Sequence, residues 1–205
     1  KEADILVLAV KPFHYPDVIH EISSLISTDK LVISIAAGQT IENIEKLFNK
    51  EIKLVRVMPN TPALVGAGAA GICHNASVTE AELSQAVEMF ESFGIAEVVP
   101  ESMIDAVIGV SGSSPAYVFM FIEAMADAAV ADGMPRAQAY RFAAQAVMGS
   151  AKMVLETGKH PGELKDMVCS PSGTTIEAVR VLEEKGMRSA VFEAQKACVE
   201  KAKNM

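Results

Sequence analysis

The chain has 205 residues, 50% of them apolar, a formal net charge of −8 and three cysteines. Such a length holds one or two domains with a substantial core, and an acidic surface without a basic stripe argues against a nucleic-acid partner. Cys73, Cys169 and Cys198 are odd in number and far apart, which fits free thiols in a reducing cytoplasm better than a disulfide framework.

The sequence opens on Lys1 with no visible signal peptide. Residues 4–10 form a continuous apolar run ended by Lys11 and Pro12, the pattern of a strand buried on both faces of a parallel sheet. A helical stretch follows to about residue 26, then a second buried strand over 31–35 that runs out into Ala36, Ala37 and Gly38. Thr40 is placed to cap a helix reaching about residue 49, and 54–58 reads as a third strand. Strands alternating with helices predict a doubly wound α/β sheet, in which ligands sit beyond the carboxyl ends of the strands. Those ends are 10–12, 36–38 and 59–62. Small residues at the second admit a flat ring close to the backbone, and Lys11 at the first is placed to meet a phosphate or a polarised group. Each stretch also reads simply as a strand exit or a solvated turn.

Residues 66–71 spell G-x-G-x-x-G, but a dinucleotide fingerprint needs a strand directly before it and a helix directly after. Neither flank qualifies, so this stretch is read as a small-residue strand packed closely on its neighbour. Thr79 then starts a helix to about residue 93, and a strand over 96–99 closes the first domain. His14, His20, His74 and His160 show no metal-binding spacing with one another or with the cysteines. No serine stands in a nucleophile elbow either.

Past Pro100 the strands stop, which puts a domain boundary at 100–103. Residues 103–110 read as helical, 111–115 as an interruption, and Ser114 with Pro115 as the cap and first residue of a helix to Asp132, stopped by Gly133. Pro135 opens another helix that ends at Gly158, and Pro161 a shorter one. Helices over 174–185 and 187–204 finish the chain, split by Gly186. Between 116 and 131 the only charges are Glu123 and Asp127, so this helix is apolar nearly all round and must be covered on every side. It is read as a buried helix completed by a second subunit, not as a membrane span.

The stretch 165–176 is the most informative. A helix ending near Cys169 runs into Ser170, Pro171, Ser172 and Gly173, and a new amphipathic helix starts at Thr174. Amides at Gly173, Thr174 and Thr175 then lack intrahelical partners, which suits a small carboxylate or phosphate. An ordinary capped turn between two helices is the alternative reading of the same residues.

Several stretches together resemble pyrroline-5-carboxylate reductases: 9–12 (Ala-Val-Lys-Pro), 36–38 (Ala-Ala-Gly), 58–62 (Met-Pro-Asn-Thr-Pro), 111–117 (Ser-Gly-Ser-Ser-Pro-Ala-Tyr) and above all 164–176. The resemblance covers essentially the whole chain. It implies a fold that is α/β and then all-α: a truncated Rossmann-like doubly wound parallel sheet over 1–100, the C-terminal part of an NAD(P)-binding domain, followed by a helical dimerisation and substrate-binding domain over 101–205. It implies reduction of 1-pyrroline-5-carboxylate to L-proline by NADPH or NADH, in a cytoplasmic homodimer or higher homo-oligomer. Carried over, Val10, Lys11, Pro12, Ala36 and Ala37 line the nicotinamide side, with Met167 near the cofactor. Ser170, Gly173 and Thr174 hold the substrate carboxylate, Thr175 reaches the ring nitrogen as the catalytic contact, and Glu101 is a weaker candidate on the substrate side. No metal is implied. A protonated imine is already a strong electrophile, so fixing the hydride donor against the acceptor carbon is most of the task.

Two departures stand out. The family usually carries Gly or Ala where this chain has Ser172. It also begins with a strand and a glycine-rich turn, about sixty residues in all, ahead of the stretch where this sequence starts. The pyrophosphate and ribose sites are thus outside the sequence, and the 205-residue chain by itself is expected to bind NAD(P)H weakly and turn over little. The competing readings are a non-catalytic dimerisation fragment and another helical-domain dehydrogenase, such as a 3-hydroxyacid dehydrogenase. The lysine and asparagine pair those enzymes use has no counterpart in place here.

Overall fold

The computed structural model describes residues 2–204. Packing separates the chain into two units, one built on the residues up to Pro115 and from Gln195 onward, the other on Ala116–Ala194.

The first unit holds a five-stranded sheet of order β1-β2-β3-β4-β5: β1 (Ile5–Leu8), β2 (Leu31–Ser34), β3 (Lys53–Met58), β4 (Gly68–His74) and β5 (Gly94–Val98). With it pack α1 (Tyr15–Ile22), α2 (Ile41–Phe48), α3 (Glu80–Glu91) and the short α4 (Ile104–Val107). Alternate strand residues point to opposite faces, and two cores result. Leu8, Val32, Leu54 and Cys73 meet Tyr15, Ile19, Ile44, Phe48 and Ile104 on one face. Leu31, Ile33, Val55, Val57 and Ile72 meet Ala86 and Phe90 on the other. Each such large apolar side chain, fully buried, contributes about 1.5–3 kcal/mol.

The parallel pattern read from the sequence holds for β1, β2 and β3, and again for β4 with β5. It reverses once, because β4 runs antiparallel to β3. Residues 59–67 are too few for a parallel crossover, which takes about a dozen or more. They make only a 3₁₀ turn, Thr61–Val65, closed by Gly66 in the left-handed region, and the chain comes straight back. The letters G-x-G-x-x-G thus belong to β4 and its approach. A Cβ on Gly94 would lie 2.1 Å from the Gly68 carbonyl, and one on Gly71 would lie 2.9 Å from Val107. Close packing, not phosphate, explains these glycines. One strand differs in burial: β1, read as buried on both faces, leaves Val7 41% exposed, because it lies at the sheet edge.

The expected break at 111–115 is absent. A 3₁₀ turn (Glu101–Met103), α4, a π-turn (Ile108–Gly112) and α5 (Ser114–Ala131) follow one another without a loop. Ser114 is not a cap: its hydroxyl donates to the Val110 carbonyl at 2.7 Å. Ser113 N–H reaches back five residues to the Ile108 carbonyl, at 2.8 Å. The extra residue of the π-turn is held from the sheet, where Asn60 Nδ2 donates to the Ser111 carbonyl at 3.0 Å while Asn60 Oδ1 accepts from Ala69 N–H at 2.9 Å.

The second unit contains α5, α6 (Arg136–Thr157), α7 (Pro161–Val168), α8 (Thr174–Glu184) and the start of α9 (Met187–Lys203). Gly133, Gly158 and Gly186 take positive φ at the stops the sequence marks. Within α5 only Ala126 is buried, and Phe119 and Met120 stand 63% and 70% exposed. By length and composition alone, the run Glu101–Ala131 is also apolar enough to cross a bilayer.

The start of α3 shows how local chemistry fixes an element. Thr79 and Glu82 form a reciprocal capping box, and Lys53 on β3 pairs with Glu82 at 2.6 Å. The Lys53 hydrogen bond, then those from Thr79, hold the Glu82 carboxyl down to about 2, from an ordinary 4.5. A carboxyl with a depressed folded value stabilises the fold above its unfolded value and loses that contribution as pH falls through the folded one. Glu82→Gln is therefore expected to cost about 1 kcal/mol at pH 7 and to flatten the loss of stability between pH 4.5 and about 2. Urea unfolding at a series of pH values checks this, and an unchanged acid slope in the variant contradicts it.

Candidate functional site

Two sets of residues gather the chemistry, one in each unit. In the helical unit, α7 ends at Val168 and Cys169 leaves the helical region. The Ser170 carbonyl then accepts from Gly173 N–H at 3.0 Å, closing a tight turn. That turn holds Ser172 at φ +55°, a left-handed conformation that favours glycine over any residue with a Cβ. At Gly173, whose backbone is extended, a Cβ would lie 3.1 Å from the Ser170 carbonyl and would displace the Ser170 hydroxyl.

Gly173 occupies the N-cap position of α8 in extended conformation and offers no side chain to the helix. The first amides of any helix lack intrahelical acceptors. In α2 and α3 the hydroxyls of Thr40 and Thr79 answer one of them, and in α7 the His160 ring accepts from Gly162 N–H. In α8, as in α1 and α6, no cap side chain answers the first amides, here those of Thr174, Thr175 and Ile176. The Gly173 amide, expected among the free donors, is taken by the Ser170 carbonyl, and Ile176 supplies the third free amide instead. Glu177 in the first turn does not oppose an anion directly, since Arg180 binds it at 2.7 and 3.0 Å. Ser170 and Met167 are exposed, Met167 at 63%.

In the sheet unit, Leu8 pairs in register with Ser34, and Ile35 N–H donates to the Leu8 carbonyl at 3.3 Å. The exits of β1 and β2 therefore leave the sheet at the same end, the first carrying Val10, Lys11 and Pro12 and the second Ala36 and Ala37. Tyr15 locks the two exits from within the core: its hydroxyl donates to the Leu8 carbonyl at 3.1 Å and lies 2.9 Å from Ser34 Oγ. Burial raises the pKa of this phenol, so it stays a neutral donor. Ala36 is buried, Ala37 half-buried, and Gly38 turns at φ +74°. Both methyl-sized side chains belong to the β2 exit, which keeps its bulk low.

Glu101, expected on the substrate side, has one carboxylate oxygen engaged within the sheet unit. Its Oε1 accepts from Arg56 at 2.8 Å and from the Ile41 backbone N–H at 2.8 Å. The carboxylate is committed to β3 and to the start of α2. Cys73 lies in the same core, and its thiol is pushed up to about 11, chiefly by burial, with Glu101 adding to the shift and Arg56 opposing it. Among the described residues no group of three or more His, Cys, Asp or Glu side chains is placed to hold a metal ion.

Comparison with known proteins gives a consistent result. Residues 101–205 match the family described as pyrroline-5-carboxylate reductase dimerisation. Residues 1–38, the β1-α1-β2 segment, match the family described as NADP oxidoreductase, coenzyme F420-dependent. The pyrroline-5-carboxylate reductase of Escherichia coli K12 is 62% identical over 203 residues, covering 99% of this chain and 76% of that protein. Among solved structures, the reductase of Coxiella burnetii superposes with a TM-score of 0.93 at 39% identity, covering 99% of this chain and 76% of that one. The Plasmodium falciparum pyrroline carboxylate reductase, solved with NADP bound, gives 0.91 at 36% identity, covering 98% and 77%.

The left-handed turn generates a direct expectation. A non-glycine residue at positive φ is strained and glycine is not, so Ser172→Gly is expected to raise stability by about 0.5–1 kcal/mol. A higher urea midpoint with unchanged slope bears this out. An unchanged or lowered midpoint contradicts it.

Proposed function

Since the chain belongs to the pyrroline-5-carboxylate reductase family, we propose that it reduces 1-pyrroline-5-carboxylate to L-proline with NADPH or NADH, the closing step of proline synthesis. The observation that carries this reading is the α8 N-terminus, with three unanswered amides and the positive end of the helix dipole. Thr174 and Thr175, with Ser170 beside them, take the substrate carboxylate, and each hydrogen bond to a charged group is worth roughly 1.5–3 kcal/mol. No arginine is needed for an acid held in this way.

The Thr175 hydroxyl is the catalytic contact. It accepts from the protonated ring nitrogen, keeping the proton there while the neighbouring carbon becomes tetrahedral. The nicotinamide, when bound, supplies the hydride and leaves oxidised. Val10, Lys11, Pro12, Ala36 and Ala37 form its side of the site, with Met167 an apolar contact on the helical domain. In domain terms, 1–100 serves the cofactor, and 101–205 the substrate and the second subunit.

The exposed apolar side chains of α5 and α6, among them Phe119, Met120 and Phe142, support a homodimer or larger homo-oligomer. A second copy would remove them from water, and the family match over this region is itself described by dimerisation. Three free cysteines support a reducing cytoplasm as its location.

Two measurements test the reading. In the intact protein, Thr175→Val is expected to lower kcat/KM for the imine by about 10- to 100-fold, the loss of one hydrogen bond to a charged group, with the KM for NADPH unchanged. Equal loss with both substrates contradicts the role of Thr175, and no imine reduction by the unsubstituted protein contradicts the function. Sedimentation is expected to give at least twice the chain mass, with Phe119→Glu shifting the protein towards monomer. A wild-type monomer contradicts the homo-oligomer.

A further inference from the structure

Arg56 is the one charged residue among the buried residues described, at 4% exposure, and it sits in the middle strand of the sheet. Taking a guanidinium out of water costs several kcal/mol unless a well-placed partner compensates it. The partner is Glu101, and a single oxygen of its carboxylate does two things. Oε1 accepts from Arg56 Nη1 at 2.8 Å and from Ile41 N–H at 2.8 Å, so β3, the start of α2 and the entry to α4 meet at one atom.

α2 has no need of this contact in order to form. Thr40 already caps it, accepting from Asn43 N–H at 3.1 Å, and its C-terminal Asn49 closes it in the left-handed conformation. What the Glu101 contact adds is position. The loop 36–40 is tied at its β2 end, where Ile35 N–H meets the Leu8 carbonyl at 3.3 Å. Glu101 ties the other end, at Ile41. Between the ties lie Ala36, Ala37 and the left-handed Gly38. A short loop anchored at both ends has few conformations left, and a flat ring resting on it loses little on binding.

We propose that Glu101, held by Arg56, is a positioning residue for the loop 36–40 and so for the nicotinamide end of the cofactor, and that it does not contact the substrate acid. The inference rests on the assignment of that loop to the nicotinamide. It accounts for a buried arginine in a sheet whose other interior residues are apolar or, at Ser34, hydrogen-bonded to Tyr15. Glu101 and Arg56 also line an open cleft of about 430 Å³ with Thr40, Asn43, Ser102 and Asp105. The carboxylate faces that cleft only after its inner oxygen is committed.

The test compares Glu101→Ala, Glu101→Gln and the double variant Arg56→Met/Glu101→Met in the intact protein. It reads NADPH dissociation by fluorescence titration, the KM for the imine, and hydrogen exchange of the peptide spanning 36–45 in the ligand-free protein. The glutamine keeps an oxygen for the Ile41 amide but gives up the counter-charge of buried Arg56, so it is expected to bind NADPH more tightly, and to exchange more slowly in 36–45, than the alanine. The alanine is expected to weaken NADPH binding about tenfold, the loss of one charge-assisted hydrogen bond, to accelerate exchange in 36–45, and to leave the imine KM within about twofold. The double variant removes the buried charge along with its partner, so it folds if the alanine does not, and it is expected to match the alanine in NADPH binding and exchange. A raised imine KM with intact NADPH binding overturns the proposal, and so does a fall in melting temperature alone with unchanged ligand binding and exchange. If the unsubstituted protein binds NADPH but does not reduce the imine, the functional reading fails while the exchange and titration results still decide the role of Glu101.

Discussion

A helix cannot satisfy its own first amides, and the account of this protein depends on which of its helices are left with them open. α2 and α3 are closed by threonine hydroxyls and α7 by a histidine ring, each a side chain bonding its own chain. α8 starts on Gly173, a residue that has no side chain to offer. The turn before it commits the Gly173 amide to the Ser170 carbonyl. The amides of Thr174, Thr175 and Ile176 are left for something from outside, and an anion is what a helix N-terminus favours. An imino acid with one carboxylate and a polarised ring nitrogen presents an acceptor for those amides and a donor for the Thr175 hydroxyl.

The sheet supplies the other half of the chemistry by simple means. Parallel pairing of β1 with β2 sets two strand exits at the same end of the sheet, and small residues on one of them keep its bulk low. Tyr15 ties the exits together from below, and Glu101 with Arg56 fixes the loop beyond. None of these groups is a proton donor or nucleophile in the reaction. They restrict motion, which suits a reaction whose acceptor is already electrophilic and whose barrier falls mainly with alignment.

What the sequence revealed, and what it concealed, follows the range of the interactions involved. Thr40, Thr79 and the positive-φ glycines at 133, 158 and 186 act within a few residues, so they marked helix ends correctly. The α8 start was legible for the same reason, together with the specific match over 164–176. Three features depend on distant partners and were missed. The reversal of β4 is set by how little chain lies between Met58 and Gly68. The π-turn at Ile108–Gly112 is stabilised by Asn60, some fifty residues earlier, so the serine-rich stretch that resembles a helix break is absorbed into one helical run. Glu101 is bound by Arg56 and Ile41, neither of which a local reading connects to it. The Gly173 amide was misjudged at short range, because the turn conformation of Ser172 has no signature in its residue type.

Binding of a small acid by the α8 N-terminus should be visible at its backbone amides. The most direct test is to follow the backbone amide resonances of the ¹⁵N-labelled protein, with NADP⁺ present, as L-proline is added. The Thr174 and Thr175 amide protons are expected to move downfield together and saturably as they take up the carboxylate. Saturable shifts confined to other residues, with Thr174 and Thr175 unmoved, would contradict it.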